Sequence, residues 1–476
     1  MNANAYFLSL DELRQAYGSG ETTPLEVTEG ILDRAKRLNP SLNCFREITE
    51  DMARRQARAA TERWKSGRPS GLLDGVPISV KDTLMLKGVA FRRGSLATPD
   101  TPSEQSAPVV DRALDQGAVV VGITTTPEFG VGPITISPLT GVTRNPWDLT
   151  KNSGGSSGGA AASVAAGLSY VALATDAGGS TRIPAGFCGV VGLKPTGGRI
   201  PTYPPNVAGA LSSPGIIGRS VDDVRQVLPT LAIPDSRDAD SMAAPSTGSS
   251  DFSCDATKSL RVAVSLDLGY ALRVSREIAN CVKDAIGRVD ESGLSITTVD
   301  PPISNPIEIF NTLFRAGFAY SLRNFTEEQL DVIGDTLRAT VEKGKKIGLH
   351  PYLQAHDERR KLAAKFAEFF ESYDALVTPM TSVTAFDAER WVPEEFEDME
   401  DPRSWTPFGY PVNLIQCPAI TIPCALSSAG LPIALQVIGP RFGEAQVLSV
   451  AKRIESSIQA LPPIPPSIEE LEQVAQ

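Results

Sequence analysis

NSGGSSGGAAASVAAGLSYVALATDAGGSTRIPAGFCGVVGLKPTGGR, residues 152–199, is the stretch on which the reading of this chain turns. Glycine, serine and alanine dominate it, yet it does not read as linker. AAASVAAGL is a helical run of small side chains, and SYVALATD is an apolar run of strand length. Small side chains let backbones approach closely, so the segment is expected to be tightly packed and buried. Gly154-Gly155 and Gly158-Gly159 flank Ser156 and Ser157 and permit backbone conformations closed to other residues. GGSSGG matches neither phosphate-loop spacing, G-x-x-x-x-G-K-[ST] nor G-x-G-x-x-G.

Further along, the strand VALAT runs into Asp176-Ala177-Gly178-Gly179-Ser180-Thr181-Arg182. Consecutive amides at Ala177, Gly178, Gly179 and Ser180 can converge on one point, because the glycines put no side chain in the way. That is how a backbone oxyanion hole is built. A serine at the end of such a turn is placed to attack a carbonyl. Taken alone, the same residues describe a tight structural turn equally well. A serine nucleophile needs a base. The two histidines, His350 and His356, both lie in GLHPYLQAHDERR, at a spacing that does not put them on one helical face. They read as surface residues. Lys81, after the apolar VPISV, is the remaining candidate. Burial disfavours an ammonium and lowers its pKa, so the amine can accept a proton.

These motifs resemble the amidase signature family. GVPISVKD around Lys81, GGSSGG around Ser156, DAGGSTRIPA around Ser180 and the following GLKPTGGR carry the resemblance. It extends outward through TPEFG, NPW and SSPGIIGRSVDDV to PAITIP and GLPIALQVIGP near the C-terminus. The resemblance implies an α/β fold, a single large domain over residues 1–476 with a central mixed β-sheet surrounded by helices. Within it, N-terminal helices would occupy residues 1–70, the signature core 71–230 and a helical, substrate-side region 275–371. It implies Ser180 as the acyl-forming nucleophile, Ser156, behind a cis peptide bond, as the bridge, and Lys81 as the base. The amides of Ala177, Gly178, Gly179 and Ser180 would bind the oxyanion, with Ser157, Asp176 and Arg182 as supports. Phe129, Gly130 and Val131 would lie near the substrate. The implied activity is hydrolysis of a C–N amide bond of a small molecule, aryl or aliphatic, to a carboxylic acid and ammonia or an amine. No metal and no cofactor are expected. A carbamate or ester hydrolase, or the ammonia-supplying component of a tRNA-amidation complex, remain alternatives. Ser153, Thr125 and Ala174 depart from residues common in the family without touching Lys81, Ser156 or Ser180.

The rest of the 476-residue chain reads as globular, 41% hydrophobic and 21% charged, with a net charge of −11. That acidic balance argues against a nucleic-acid partner or an anionic membrane surface. No apolar run has the length of a transmembrane helix, and the N-terminus does not read as a secretory signal. The six scattered cysteines form no C-x-x-C pair and no zinc spacing, and read as reduced thiols. A cytoplasmic location is therefore expected; a small-molecule amide as partner is what the resemblance implies, and a homodimer is a further expectation.

Outside the central stretch, Ser9 with Glu12 signals a capping box and Thr23-Pro24 a helix start. VPISV, a helix in APVVDRALDQG and AVVVGI predict two parallel strands joined by a crossover. Residues 234–257 read as a surface loop and 386–405 as an exposed acidic loop. Four helical patterns are expected between 275 and 371, and a late strand pair in PAITIPC and LPIALQVIGP. Phe310, Phe314, Phe318 and Tyr320 recur at near-helical spacing, which favours core over pocket. Any of them facing the site would suit an aryl or otherwise apolar acyl group.

Overall fold

Ser9 and Thr23 each accept a hydrogen bond from the amide three residues on, and the Glu12 and Glu26 carboxylates accept in turn from the Ser9 and Thr23 amides. Both capping boxes satisfy amides that a helix start leaves without partners, so Leu10–Ser19 and Pro24–Leu42 begin where the sequence predicts. The helix Glu50–Lys65 follows. The structure, a computed structural model, describes residues 3–243, 259–289, 293–458 and 460–474.

An 11-stranded mixed sheet forms the centre of one domain. From one edge the strands run Phe45–Ile48, Val119–Thr124, Pro77–Lys81, Val171–Asp176, Ser213–Gly218 and Val191–Lys194. The order continues Ala419–Leu426, Pro432–Ile438, Ala375–Pro379, Leu260–Val264 and Leu294–Thr298. Pro77–Lys81 pairs in parallel with Val119–Thr124, across the helix Pro108–Asp115, as the alternating pattern predicts. It also pairs in parallel with Val171–Asp176, Ile78 opposite Val171 and Val80 opposite Leu173. Lys81 and Asp176 are each the last residue of their strand, so both arrive at the same edge of the sheet, the carboxyl ends, where ligand sites of open α/β sheets lie. The late pair, Ala419–Leu426 with Pro432–Ile438, is antiparallel.

The helix Gly158–Ala165 is buried along its whole length. A Cβ on Gly159 would stand 2.5 Å from the Cys44 carbonyl oxygen and 2.6 Å from the Thr125 nitrogen. Backbone contact, and not chain flexibility, is what the small residues of this stretch serve.

The structure corrects several expectations. Residues 386–405 are not simply an exposed loop. Their acidic residues Glu394 and Glu395 face solvent, but Trp405 is completely buried, stacked on Phe187 at 5.8 Å and edge-on to Phe386 at 5.2 Å. Aromatics at irregular spacing turned inward while Glu394, Glu395, Glu397 and Asp398 stayed exposed. Five helices, not four, occupy the stretch Arg276–Ser372. The strand Leu294–Thr298 escaped notice because it lies at the sheet edge with four of its five residues exposed. The loop expected over 234–257 is exposed or half-buried up to residue 243, and the remainder lies outside the described residues. On the helix Leu349–Ser372, His350 is exposed and His356 half-buried. The five described cysteines are free thiols, and among the described residues no helix is long and apolar enough to cross a membrane.

Candidate active site

Lys81 ends its strand fully buried, and its Nζ meets four oxygens. It lies 2.7 Å from Ser156 Oγ, 2.8 Å from Ser157 Oγ, 3.1 Å from Thr175 Oγ1 and 3.4 Å from the Thr175 carbonyl. Burial pushes the amine down to about 7, against the pull of the Asp176 carboxylate. Near neutrality, then, a substantial fraction is the free amine, whose lone pair can accept a proton from the Ser156 hydroxyl. The Gly155–Ser156 peptide bond is cis. A second lysine, Lys194, is also fully buried and pushed down, chiefly by burial, to about 8. Its Nζ donates to the Pro195 carbonyl at 2.6 Å and reaches none of these serines. Geometry, not burial alone, singles out Lys81.

Ser180 is half-exposed, while Ser156 is buried. The Ser157 amide donates to the Ser180 carbonyl at 3.1 Å and ties the two glycine-rich segments together. Asp176 holds the turn between them. Its carboxylate accepts from the Gly179 amide at 2.8 Å, the Thr181 amide at 3.0 Å and Asn413 Nδ2 at 2.9 Å. It also takes two parallel bonds from Arg182, each 3.0 Å. Burial would raise the Asp176 carboxyl, but the Arg182 charge and these bonds hold it well below the usual carboxylate range. With the Gly179 N–H spent on Asp176, the amides of Ala177, Gly178 and Ser180 are the three of the turn without an acceptor among the described residues.

A small cavity of about 30 Å³ opens beside Ser180, lined also by Gly130, Gly178, Ile183, Phe310, Phe314 and Arg403. Gly130, at φ 76°, is so close that a Cβ there would stand 3.3 Å from Ser156 Oγ. Of the three residues expected near the substrate, Gly130 lines the cavity. Phe129 and Val131 are buried in the hydrophobic cluster behind it. Phe310 and Phe314 belong both to that cluster and to the cavity wall, Phe318 is core, and Tyr320 is exposed.

Sequence reasoning missed Thr175, Asn413, Gln436 and Arg403. Arg182 donates to Asn413 Oδ1 at 2.7 Å and to Gln436 Oε1 at 2.9 Å. Both partners come from the C-terminal part of the chain, in PVNLIQ and LPIALQVIGP, where nothing in the local pattern marks them. Thr175, directly before Asp176, sat inside the quoted motif and could have been found there.

The chain belongs to the Amidase family, whose profile matches residues 26–448, and with it to hydrolases acting on C–N bonds. It is 33% identical to a glutamyl-tRNA(Gln) amidotransferase subunit from Prochlorococcus marinus (strain MIT 9211), over 95% of this chain and 98% of that one. To the acylamidase of Rhodococcus erythropolis it is 33% identical, over 95% and 96% of the two chains. Among solved structures, a 6-aminohexanoate cyclic dimer hydrolase complexed with substrate superposes with a TM-score of 0.88 at 27% identity, covering 97% of this chain and 99% of that one. A bacterial aryl acylamidase of the amidase signature family also gives 0.88, at 25% identity and 98% coverage of each chain.

Proposed function

We propose that the protein hydrolyses a small-molecule amide through an acyl-enzyme on Ser180. The observation that carries this reading is the buried contact of Lys81 Nζ with Ser156 Oγ beside the cavity that Ser180 lines. Ser180 Oγ attacks the amide carbonyl and forms the new C–O bond. Its proton passes to Ser156 Oγ as the Ser156 proton passes to the neutral Lys81 amine. The carbonyl oxygen takes up the electron pair and is met by the amides of Ala177, Gly178 and Ser180. Collapse breaks the C–N bond, and the proton returns from Lys81 through Ser156 to the leaving nitrogen. Water, deprotonated along the same route, then releases the carboxylic acid and restores Ser180. Ser157, Asp176 and Arg182 hold the geometry: Ser157 contacts Lys81, and the Arg182–Asp176 pair fixes the turn that presents the amides.

Relatives of comparable identity include amidotransferase components and an acylamidase, so likeness alone does not choose between them. The wall of Phe310, Phe314, Tyr410 and Ile183 favours a substrate with an apolar or aryl portion. The purified chain, alone, is expected to hydrolyse anilides or alkyl amides, and Ser180→Ala to lose that activity. Turnover seen only with added partner proteins and a charged tRNA would favour the amidotransferase reading. A preference for esters or carbamates over amides would reassign the bond.

A further inference from the structure

We propose that Arg403 binds a carboxylate of the substrate, so that the amide cleaved carries an anionic group a few bonds from its scissile carbonyl. This rests on the Ser180 reading above and names the substrate class for that site.

Arg403 lines the cavity that holds Ser180, Gly130 and Phe310. A guanidinium carries five N–H donors. Arg403 spends one of them, weakly, from Nη1 to Asn311 Oδ1 at 3.5 Å, and lies with Cζ 5.2 Å from the centre of the Phe314 ring. Among the described residues it forms no ion pair. The acid beside it is Asp401, and that carboxylate is engaged elsewhere. It accepts from Asn311 Nδ2 at 2.5 Å and from the Arg403 backbone amide at 2.8 Å, and it pairs with Arg315 at 3.5 Å. Asp401 pairs with Arg315 and acts on the Arg403 guanidinium only through space, so one carboxylate faces two guanidinium groups and net positive charge remains beside the cavity. Asp398, on the same loop, is matched to Arg273.

Arg403 is half-buried at the cavity wall, where a charge with no carboxylate paired to it gains from an anionic ligand. The planar fork of Arg403 matches a carboxylate with two parallel bonds, and it lies beside Phe314, which is itself stacked on Phe310 at 5.1 Å. An aromatic wall and a cation beside one nucleophile select an amide with an apolar stem and a carboxylate end, such as an ω-carboxy alkanamide or a carboxybenzamide.

The test is binding to the Ser180→Ala protein, by titration calorimetry, of matched amides. The set is malonamate to adipamate against neutral alkyl amides of equal length, terephthalamate against benzamide, and 4-aminobutyramide as the cationic counterpart of succinamate. The expected order is carboxylate above neutral above ammonium. At the best chain length the carboxylate should gain roughly 10–100-fold over its neutral match, the range of a charge-assisted hydrogen bond. In Arg403→Gln that ratio should fall towards one, and Arg403→Lys should recover part of it. An unchanged ratio in Arg403→Gln would overturn the proposal. So would equal binding of carboxylate and neutral amides at every length, which needs no Arg403 variant. Hydrolysis that survives in Ser180→Ala would instead defeat the nucleophile assignment while leaving the Arg403 ratio to be read.

Discussion

Lys81 Nζ lies 2.7 Å from Ser156 Oγ, and neither residue is open to solvent. An amine in that position is of use as a base only if it can shed its proton near neutral pH. Burial arranges this by bringing Lys81 down to about 7.

The first consequence is a pH profile. kcat/KM is expected to rise through a single ionisation near pH 7 and to fall about tenfold per unit on the acid side, where Lys81 is charged. Lys81→Ala and Ser156→Ala should each lose about 10²–10⁴-fold in kcat, the usual worth of positioned acid–base groups. A profile flat from pH 5 to 8 would contradict the role given to Lys81.

The same shift has a stability sign. Below pH 7 both folded and unfolded chains hold the Lys81 proton. Between about 7 and 10.5 only the unfolded chain does, so Lys81 makes stability rise with pH across that window. Lys81→Met keeps an apolar stem of similar length and removes the buried amine, and is expected to be more stable than the native chain near pH 7. Its advantage should shrink towards pH 10. Urea unfolding of both proteins at pH 7 and 9.5 measures it, and an advantage independent of pH would count against the buried, neutral lysine.

Asp176 and Arg182 are both fully buried and doubly bonded to one another. Asp176→Ala strands the Arg182 charge, with only Asn413, Gln436 and the Gly409 carbonyl left to it. The expected loss is about 3–5 kcal/mol, the cost of breaking one side of a buried pair. A denaturation midpoint near that of the native chain would show the pair to be dispensable.

Gly130→Ala separates chemistry from folding. Its φ of 76° costs an alanine about 1–2 kcal/mol, and the new methyl would press on Ser156 Oγ at 3.3 Å. Activity is expected to fall by orders of magnitude while circular dichroism and the cooperative unfolding transition persist. Full activity in Gly130→Ala would place Ser156 outside the reaction.

Much of this site is written locally. GGSSGG and DAGGST must be small because backbones touch there, so their composition is visible in the chain, and Lys81 is marked by the apolar strand it ends. What supports them is not local. Asn413 and Gln436 reach Arg182 across more than 200 residues of chain, as single polar residues in ordinary apolar surroundings. Arg403 lies in a segment whose charge suggested a solvated loop, yet it lines the cavity, two residues before the buried Trp405. The edge strand Leu294–Thr298 buries almost nothing, so its pattern lacks the alternation that marks a strand with one face on a core.

The most direct test of the central claim is to map the covalent intermediate. The purified protein is incubated with a slowly released acyl donor or a fluorophosphonate, quenched, digested and examined by mass spectrometry. The adduct is expected on Ser180, with its rate of formation reduced in Lys81→Ala and in Ser156→Ala. An adduct on a different residue, or turnover of an amide by Ser180→Ala at the native rate, would contradict the account.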